Sequence, residues 1–321
     1  MVTLSALRIA SRGSELALWQ SRTVQDALRA ADPALQVEID VIKTTGDNIQ
    51  DVPLAKIGDK GLFTKELDAA LLSGAADLAV HSLKDVPTRL PDALTLAAIT
   101  TREDPRDVVI LPPGRRGGLY YLKSGAKVGT SSLRRRAQLQ ALRPDLDITD
   151  LRGNLNTRLA KLDAGAYDAI ILAAAGVLRL GWAERIGQYL DPPAWLPAVG
   201  QGALAVVARA DRPDVIGRLL PLHDPHAAAC TVAERALLRA LEGGCQVPIG
   251  ALAAVDADGV IVLHGLVAAL DGRRILRVQE VGSMHEAEDV GRRAADALLA
   301  KGAGEILTSI RASLSPEPAA P

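Results

Sequence analysis

The first two hundred residues repeat one order of apolar and polar positions. Short apolar runs, typical of buried strands, alternate with stretches in which apolar residues return every three or four positions, as in helices. Strands are predicted over 6–10 and 37–45, and a strand that runs into a polar loop over 75–85, with helices over 11–31 and 64–74. The order returns as a strand that enters a Gly/Ser/Thr turn over 126–132 and strands over 146–153 and 167–176, with helices over 133–144 and 156–165. Two such βαβ blocks predict two α/β domains with largely parallel sheets.

The pattern changes after residue 220. Helical spacing over 226–244 is followed by alternation around Asp258-Gly259 and Asp271-Gly272, which are hairpin signals. An amphipathic helix is predicted over 285–307, and the end of the chain from residue 313 is predicted to fray. This part predicts a third, smaller domain of the α+β class.

Composition and charge argue against several classes of function. With 321 residues, 48% of them apolar, and a net charge of −1, the chain is expected to form several domains and to bind neither nucleic acid nor a membrane. Its longest apolar run, over 169–178, is shorter than the ~20 residues of a membrane span, and the first residues lack a signal-peptide pattern. A cytoplasmic location is therefore predicted. Two cysteines cannot form a Cys-rich zinc site, and no metal is expected.

Charged and hydroxyl side chains follow the predicted strands directly. Parallel sheets bind ligands at the carboxyl ends of their strands, and two such sheets can face a shared cleft. The residues at these positions are Arg12, Ser14, Lys84, Asp85, Ser131, Ser132, Arg134, Arg135 and Arg152. They are the candidate functional residues of the cleft.

The turn after the first strand of the second block has the features of an anion site. Ser131 or Ser132 can cap the next helix and leave its N–H groups and positive dipole end for an anion. Arg134 and Arg135 would lie in the first helical turn, where a cation costs about 0.3–1 kcal/mol, which indicates that they serve a ligand. A solvated basic helix face is the alternative, and it is expected for Arg136.

Further arginines occupy equivalent positions. Arg152 ends a strand, Arg158 lies on the next helix, and Arg179 follows the strand after that. Together with Arg12 they predict a ligand with many negative charges. The phosphate-loop motif G-x-x-x-x-G-K-[ST] is absent from the sequence, so carboxylates are favoured over nucleotides.

Lys84 and Asp85 stand together after a predicted buried strand. A carboxylate among cations stays ionised, so Asp85 could stabilise a developing cation or transfer a proton. A structural ion pair or a turn-capping aspartate is the alternative. His81 is expected to be a satisfied structural histidine.

The two cysteines lie in different surroundings. Cys230 is predicted to be a small buried residue of a helix. Cys245 follows Gly243 and Gly244 and precedes Pro248, in a turn that can hold the sulfur in a projecting position. A buried thiol is the alternative, and a hydrolytic nucleophile would need a histidine base.

Residues 44–63 contain glycines and lysines without clear periodicity. Lys56 and Lys60 could belong to a mobile lid that brings cations over the cleft. A plain surface loop is equally compatible with the sequence.

Eight segments, in order along the chain, resemble one enzyme family. They are IASRGSELALWQ, KGLFTKELD, HSLKDVPT, VGTSSLRR, LRGNLNTRL, YDAIILAAAG, PAVGQGALA and LEGGCQVPIG. The ordered set is very specific and is similar to porphobilinogen deaminases, also called hydroxymethylbilane synthases. The loop over 112–125 and the C-terminal tail depart from the resemblance but touch none of these segments.

The resemblance implies a fold and an activity. It implies two periplasmic-binding-protein-like α/β domains flanking a cleft, plus a smaller α+β C-terminal domain. Domain 1 would cover 1–101 and be completed by about 199–220, domain 2 would cover 102–198, and domain 3 would cover 221–321. The activity would be that of a transferase of porphyrin and heme biosynthesis, which joins four porphobilinogen molecules into the linear tetrapyrrole hydroxymethylbilane and releases ammonia. A monomer is expected, because the sequence has no exposed apolar repeat or coiled-coil signal. A dipyrromethane cofactor, made from two porphobilinogen units and attached to Cys245 by a thioether, would prime the reaction.

The resemblance also implies roles for single residues. Asp85 and Lys84 would be catalytic, with Asp85 assisting the loss of ammonia and stabilising the azafulvene cation that the growing chain attacks. The residues that would bind the cofactor are Cys245, Ser132, Arg134, Arg135, Lys84 and Asp85. Those that would bind the substrate are Arg12, Ser14, Arg152, Arg158, Arg179 and Gln201. The lid would include Lys56, Lys60 and Phe63.

Two other functions share parts of this pattern. A two-lobed binding protein for a polycarboxylated ligand would have the same repeated blocks and strand-end arginines. It would need neither Asp85 nor a third domain that presents Cys245. A Cys-dependent hydrolase would need a histidine close to the thiol.

Overall fold

The computed structural model of the chain describes residues 6–48, 64–241 and 247–314. These residues form two five-stranded β-sheets and one three-stranded β-sheet. No helix within the described ranges is long and apolar enough to span a membrane.

The first sheet contains strands from two distant parts of the chain. Its strands are β1 (Ala6–Ser11), β2 (Gln36–Val41), β3 (Leu78–Ser82), β4 (Leu94–Ile99) and β10 (Leu204–Arg209), in the order β2-β1-β3-β10-β4. Its helices are α1 (Glu15–Ala31), the short α2 (Thr45–Asn48), α3 (Lys65–Leu72) and α7 (Pro213–Leu219). β1 runs parallel to β2 and β3, whereas β10 lies between β3 and β4 and runs antiparallel to both.

Both faces of this sheet are buried. Val80 and Val206 pack with Val24 of α1 on one face, and Val207 packs with Leu67 of α3 on the other. Strands covered on both faces have continuous apolar sequences, which is the pattern seen in β3 and β10.

The second sheet repeats the arrangement of the first. Its strands are β5 (Asp107–Ile110), β6 (Lys127–Gly129), β7 (Asp147–Thr149), β8 (Ala169–Ala173) and β9 (Ile186–Leu190), in the order β7-β6-β8-β5-β9. Its helices are α4 (Leu133–Leu142), α5 (Leu155–Asp163) and α6 (Ala174–Arg179). As in the first sheet, three parallel strands are followed by an antiparallel strand. The prediction of two similar α/β blocks is confirmed.

The C-terminal part forms a smaller α+β unit. A meander of β11 (Ile249–Val255), β12 (Val260–Ala268) and β13 (Ile275–Ser283) packs against α8 (Pro225–Ala240), α9 (Ala287–Ala300) and α10 (Ala303–Leu314). The hairpin turns lie at Asp258-Gly259 and Asp271-Gly272, as predicted, and both glycines have positive φ. The predicted fold class, with two α/β domains and a smaller α+β domain, is confirmed.

Several elements differ from their predicted bounds. β2 ends at Val41 rather than at residue 45, where α2 begins. The strand predicted over 167–176 ends at Ala173, and its last three residues belong to α6. The single helix predicted over 285–307 is wrong, since α9 ends at Ala300 and α10 begins at Ala303. Gly302 has φ +93° and its N–H donates to Leu299 O, and a residue with this conformation ends an α-helix.

Gly291 brings α9 close to α8. A Cβ at this position would lie 2.2 Å from Ala233 O and 2.5 Å from the Ala236 Cβ. We expect Gly291→Ala to lower the free energy of unfolding by about 1–3 kcal/mol, because the two helices must separate.

Gly217 of α7 provides the matched control. A Cβ there has nothing within 4 Å, so Gly217→Ala is expected to stabilise the helix by about 0.5–1 kcal/mol. Urea denaturation followed by circular dichroism measures both variants. Equal effects of the two substitutions would contradict the close contact between α8 and α9.

Candidate active site

Lys84 and Asp85 lie in a single helical turn, Leu83–Asp85, that directly follows β3. The turn is held by its buried neighbour Leu83, whose N–H donates to Ala203 O at 3.0 Å. Arg235 of α8 holds the other side, since its two terminal nitrogens donate to Val86 O and Pro87 O at 3.0 and 2.7 Å. The two candidate catalytic side chains are half-buried on a backbone that is fixed from two sides.

Of the two candidate caps of α4, Ser132 is the N-cap. Its hydroxyl accepts from the Arg135 N–H at 3.4 Å, while the Ser131 hydroxyl donates to Leu151 O at 3.0 Å. Arg134 and Arg135 therefore lie in the first turn of α4, as predicted.

Both of these arginines bind a carboxylate of the protein itself. Asp107 Oδ2 accepts from Arg134 Nη1 at 2.7 Å, and Asp107 Oδ1 accepts from Arg135 Nη2 at 2.6 Å. Arg134 and Arg135 are only 4% and 6% exposed. The alternative of a solvated helix face is wrong for these two residues. It fits Arg136 better, whose half-buried side chain reaches Asp150 at 3.3 Å.

Asp107 was not predicted from the sequence as a site residue. It begins β5 and is fully buried. Burial alone would raise the pKa of its carboxyl group, but the guanidinium groups of Arg134 and Arg135 hold that pKa well below its usual range. The signal in the sequence was an acidic residue directly before the apolar run Val108–Leu111.

Lys84 is linked to Asp107 through the side chain of Gln201. Its Nζ donates to Gln201 Oε1 at 3.4 Å, and Gln201 is 1% exposed. Burial lowers the pKa of Lys84 to about 8; the charge of Asp85 opposes this shift, and that of Arg135 adds to it. Lys84 therefore loses its positive charge only slightly above neutral pH.

Arg152 and Arg158 complete the group on the side of the second sheet. Arg158 Nε donates to Gly153 O at 2.8 Å. Burial and the charges of Arg135 and Arg152 lower the pKa of Arg158 to about 10, and Asp85 opposes this shift. Burial also lowers the pKa of Arg152.

These side chains form what we call the cationic cluster. Its members are Lys84, Asp85, Asp107, Arg134, Arg135, Arg152 and Arg158. Five of them are cations and two are carboxylates, so the cluster has an excess of positive charge at the carboxyl ends of β3 and of the strands of the second sheet. Such a site binds ligands that carry carboxylates, since arginine offers paired N–H donors to them.

The other predicted substrate residues occupy the same ends of the sheets. Ser14 caps α1 by accepting from the Ala17 N–H at 3.4 Å. Arg179 Nη2 donates to Gly202 O at 2.6 Å, and its guanidinium carbon lies 5.6 Å from the ring centre of Trp19. Burial lowers the pKa of Arg179 to about 10, an effect that Glu103 opposes.

His81 lies beside Arg12 in the buried part of β3. Burial, with the nearby charge of Arg12, lowers the pKa of His81 to about 4, so the imidazole is neutral at neutral pH. His81 is buried, but the prediction of a satisfied structural histidine is wrong. The side chain is not fully satisfied, because its Nε2 has no hydrogen-bond partner among the described residues.

The two cysteines have different outcomes. Cys230 is 7% exposed in α8 and belongs to the core of the third unit, as predicted. Burial, and secondarily Glu234, raise the pKa of its thiol to about 11. Cys245 lies outside the described residues, as do the predicted lid residues Lys56, Lys60 and Phe63.

The third unit contacts two of the elements that carry the cationic cluster. Leu133, the first residue of α4, packs against the core formed by α8, α9 and β12. Ala137 of the same helix packs with Leu266 and Ala268 of β12. Together with the Arg235 contacts to the Lys84–Asp85 turn, this packing fixes the third unit against both sides of the site.

Family models match most of the chain. A model described as "Porphobilinogen deaminase, dipyromethane cofactor binding domain" matches residues 7–217, and one described as "Porphobilinogen deaminase, C-terminal domain" matches residues 228–300. The chain belongs to the porphobilinogen deaminase family. The sequence-based resemblance is confirmed.

Curated relatives agree with this assignment over nearly their whole length. The porphobilinogen deaminase of Syntrophobacter fumaroxidans is 52% identical over 96% of this chain and 99% of the relative. That of Moorella thermoacetica is 54% identical over 95% of this chain and 97% of the relative. That of Synechococcus elongatus is 53% identical over 97% of both chains.

Solved structures outside the porphobilinogen deaminase family show a weaker likeness. The periplasmic VFT2 domain of Bordetella pertussis BvgS is 17% identical, with a TM-score of 0.43 over 68% of this chain and 87% of that chain. A periplasmic binding protein of Salmonella typhimurium with high arginine specificity is 14% identical, with a TM-score of 0.38 over 70% of this chain and 93% of that chain.

The residues of the cationic cluster fit the cofactor of the family. A dipyrromethane built from porphobilinogen carries acetate and propionate groups, which need cationic donors. The cationic cluster sets five cations against two carboxylates of the protein, and burial is the main cause that lowers the pKa values of Lys84 and Arg158, so a ligand carboxylate would stabilise their charged forms. Lys84, Ser132, Arg134 and Arg135 are the residues that would hold the cofactor.

Proposed function

We propose that the protein is a hydroxymethylbilane synthase that joins four porphobilinogen molecules head to tail and releases one ammonia at each addition. The observation that carries the proposal is the cationic cluster, which gathers five cations around the half-buried carboxylate of Asp85 and balances them with only one further carboxylate, that of Asp107. A carboxylated substrate and a cationic transition state need these two features together.

The arginines bind and position the substrate carboxylates. Each pyrrole carries two carboxylates, and a charge-assisted hydrogen bond contributes roughly 1.5–3 kcal/mol, so several arginines are needed to hold a chain of pyrroles. We assign this role to Arg12, Arg152, Arg158 and Arg179. Ser14 assists them, and Gln201 assists through the Lys84 side chain that it holds. Their places at the ends of both sheets support the assignment, because a lengthening ligand can move from one arginine to the next.

Asp85 acts on the reacting carbon. Loss of ammonia from porphobilinogen leaves a cation on the substrate, and the Asp85 carboxylate stabilises it. The same carboxylate accepts hydrogen bonds from pyrrole N–H groups and orients the ring. Lys84, held by Gln201, binds a ligand carboxylate beside it.

The cofactor, when bound, supplies the free pyrrole α-carbon to which the first substrate unit is joined. We propose Cys245 as its attachment point. The segment 242–246 connects α8 with β11, and both of these elements belong to the unit that packs against α4. This position supports delivery of a tethered group to the cationic cluster.

We further propose a cytoplasmic monomer with domain 1 over 1–101 completed by about 199–220, domain 2 over 102–198 and domain 3 over 221–321. The pairing of β10 with β3 and β4 supports the return of the chain to domain 1. The proposed cytoplasmic location is compatible with the proposed role of Cys245, because a reducing compartment keeps this residue a thiol until the cofactor is attached.

Replacing each cysteine in turn tests the proposed function. We expect wild-type protein to release ammonia from porphobilinogen and to show the added mass of a dipyrromethane. Cys245→Ala is expected to have the mass of the bare polypeptide and background activity. Intact-protein mass spectrometry and a coupled ammonia assay measure the two properties.

Cys230→Ala is the matched control for this experiment. The residue is buried in α8, so this change should cost about 1 kcal/mol of stability but leave the added mass and the turnover in place. Wild-type protein that binds porphobilinogen without turnover would favour a binding protein for carboxylated ligands. An active protein with no added mass would exclude a covalent primer.

A further inference from the structure

Asp107 is held at the first position of β5, between two neighbouring strands of the second sheet. Its backbone pairs with Ala173 of β8 on one side and with Leu190 of β9 on the other. Its side chain is fully buried. The carboxylate therefore has a fixed direction, and it contacts protein groups in place of solvent.

Five N–H groups converge on the two oxygens of this carboxylate. Oδ2 accepts from Arg134 Nη1 at 2.7 Å and from Trp195 Nε1 at 2.8 Å. Oδ1 accepts from Arg135 Nη2 and Nε at 2.6 and 3.1 Å, and from Gln201 Nε2 at 2.9 Å. Each arginine is thus assigned to its own oxygen, and this fixes the direction of both guanidinium groups.

Gln201 extends the network to Lys84. Its Nε2 also donates to Pro105 O at 2.8 Å, so both the backbone and Asp107 require the amide nitrogen on that side. The amide oxygen must then face the opposite direction, where it accepts from Lys84 Nζ at 3.4 Å. The orientation of Asp107 is in this way transmitted to the residue beside Asp85.

The charges of this group do not cancel. Asp107 supplies one negative charge against the two positive charges of Arg134 and Arg135, so the group keeps a net positive charge for an incoming carboxylate. A second acidic residue would neutralise the site, and an apolar residue would leave two buried guanidinium groups to repel each other.

We propose that Asp107 is a positioning residue, which sets the direction of the Arg134 and Arg135 guanidinium groups and, through Gln201, of the Lys84 ammonium group. The identity of the ligand, a carboxylated pyrrole, rests on the proposed function. Asp107 itself touches no substrate and acts only through these three side chains.

The test compares Asp107→Asn with Trp195→Phe. The first change removes the charge with little change of shape. The second removes another N–H donor from the same Oδ2, but Trp195 is not one of the predicted site residues. The readouts are the [¹⁵N]arginine Nε–H signals, the fraction of protein with the added cofactor mass, kcat, KM, and the pH dependence of kcat/KM.

For Asp107→Asn we expect a shifted Arg135 Nε–H signal and a drop in cofactor loading or kcat/KM of about 10–100-fold, as for other residues that orient a binding group.

The alkaline limb of the pH profile is a further readout. Lys84 faces Asp85, Asp107, Arg134 and Arg135, and the charge of Asp107 raises the pKa of Lys84, so its removal lowers that pKa. The fall in kcat/KM should therefore begin at a lower pH than in wild type. Trp195→Phe should keep the wild-type pH profile.

The inference would be overturned if Asp107→Asn had the wild-type cofactor content, kcat/KM and pH profile. It would also be overturned if both variants lost the same amount of cofactor and kcat/KM with unchanged pH profiles. If Asp107→Asn does not fold, the variant Gln201→Met replaces it in the test. An unaltered KM and an unaltered pH dependence of kcat/KM in Gln201→Met would overturn the inference. A raised KM together with a shifted pH dependence would support it. The proposed function fails separately, if the wild-type protein neither carries the added mass nor releases ammonia from porphobilinogen.

Discussion

Asp85→Asn is expected to lower the rate of ammonia release by about 10²–10⁴-fold, the range typical of losing a charged catalytic group. The change keeps the shape of the side chain and removes the negative charge that faces Lys84 and Arg158. The cation formed when ammonia leaves is then no longer stabilised. Single-turnover measurements with porphobilinogen give the rate, and intact mass gives the cofactor content of the variant.

Asp92→Asn is the matched control, because Asp92 is an exposed residue seven positions further along the chain. It should show wild-type turnover. A rate for Asp85→Asn within a few-fold of the control would remove Asp85 from the catalytic role. A loss of folded protein, seen by near-UV circular dichroism, would assign the effect to structure.

Glu234→Ala is expected to have the largest effect on stability, about 3–5 kcal/mol, as for other buried ion pairs from which one partner is removed. The Glu234 carboxylate has no exposed surface and accepts from both terminal nitrogens of Arg102, at 2.6 and 3.1 Å. It also accepts from the backbone N–H groups of Gly200 and Ala253, at 2.7 and 2.8 Å. Its loss leaves a largely buried guanidinium group and two buried N–H groups without their acceptor.

The exposed pair of Arg209 and Asp211 provides the comparison. Its side chains are 35% and 65% exposed, and Asp211→Ala is expected to change stability by about 0–1 kcal/mol. Urea midpoints measured by intrinsic fluorescence rank the two variants. A Glu234→Ala midpoint equal to that of Asp211→Ala would contradict the structural importance of the buried pair.

Local pattern was sufficient to predict the parallel halves of both sheets. The strands β1, β3, β6 and β8 and the helices between them have the periodicities and end signals of their classes, and their neighbours in the sheet are close in sequence. The antiparallel strands β5 and β9 were not assigned in this way. Their positions depend on pairing with strands far along the chain, which no local signal encodes.

Candidate site residues could be predicted from the sequence where they stand directly after a strand. Lys84, Asp85, Arg134 and Arg152 could be found because they stand directly after strands. Asp107 could not, since its partners Arg134 and Gln201 lie 27 and 94 positions away. An acidic residue directly before an apolar run indicates burial, but its role in a site becomes recognisable only when folding brings its hydrogen-bond donors together.

The central place of β10 in the first sheet has a consequence for biosynthesis. On a ribosome, β3 and β4 emerge about one hundred residues before the strand that must separate them. Until residues 204–209 arrive, the facing edges of β3 and β4 lack their hydrogen-bond partner, and apolar edges of this kind promote aggregation. The first third of the chain therefore completes its sheet only after about two thirds of the chain has been translated. Premature termination before this point should give an insoluble fragment that chaperones retain.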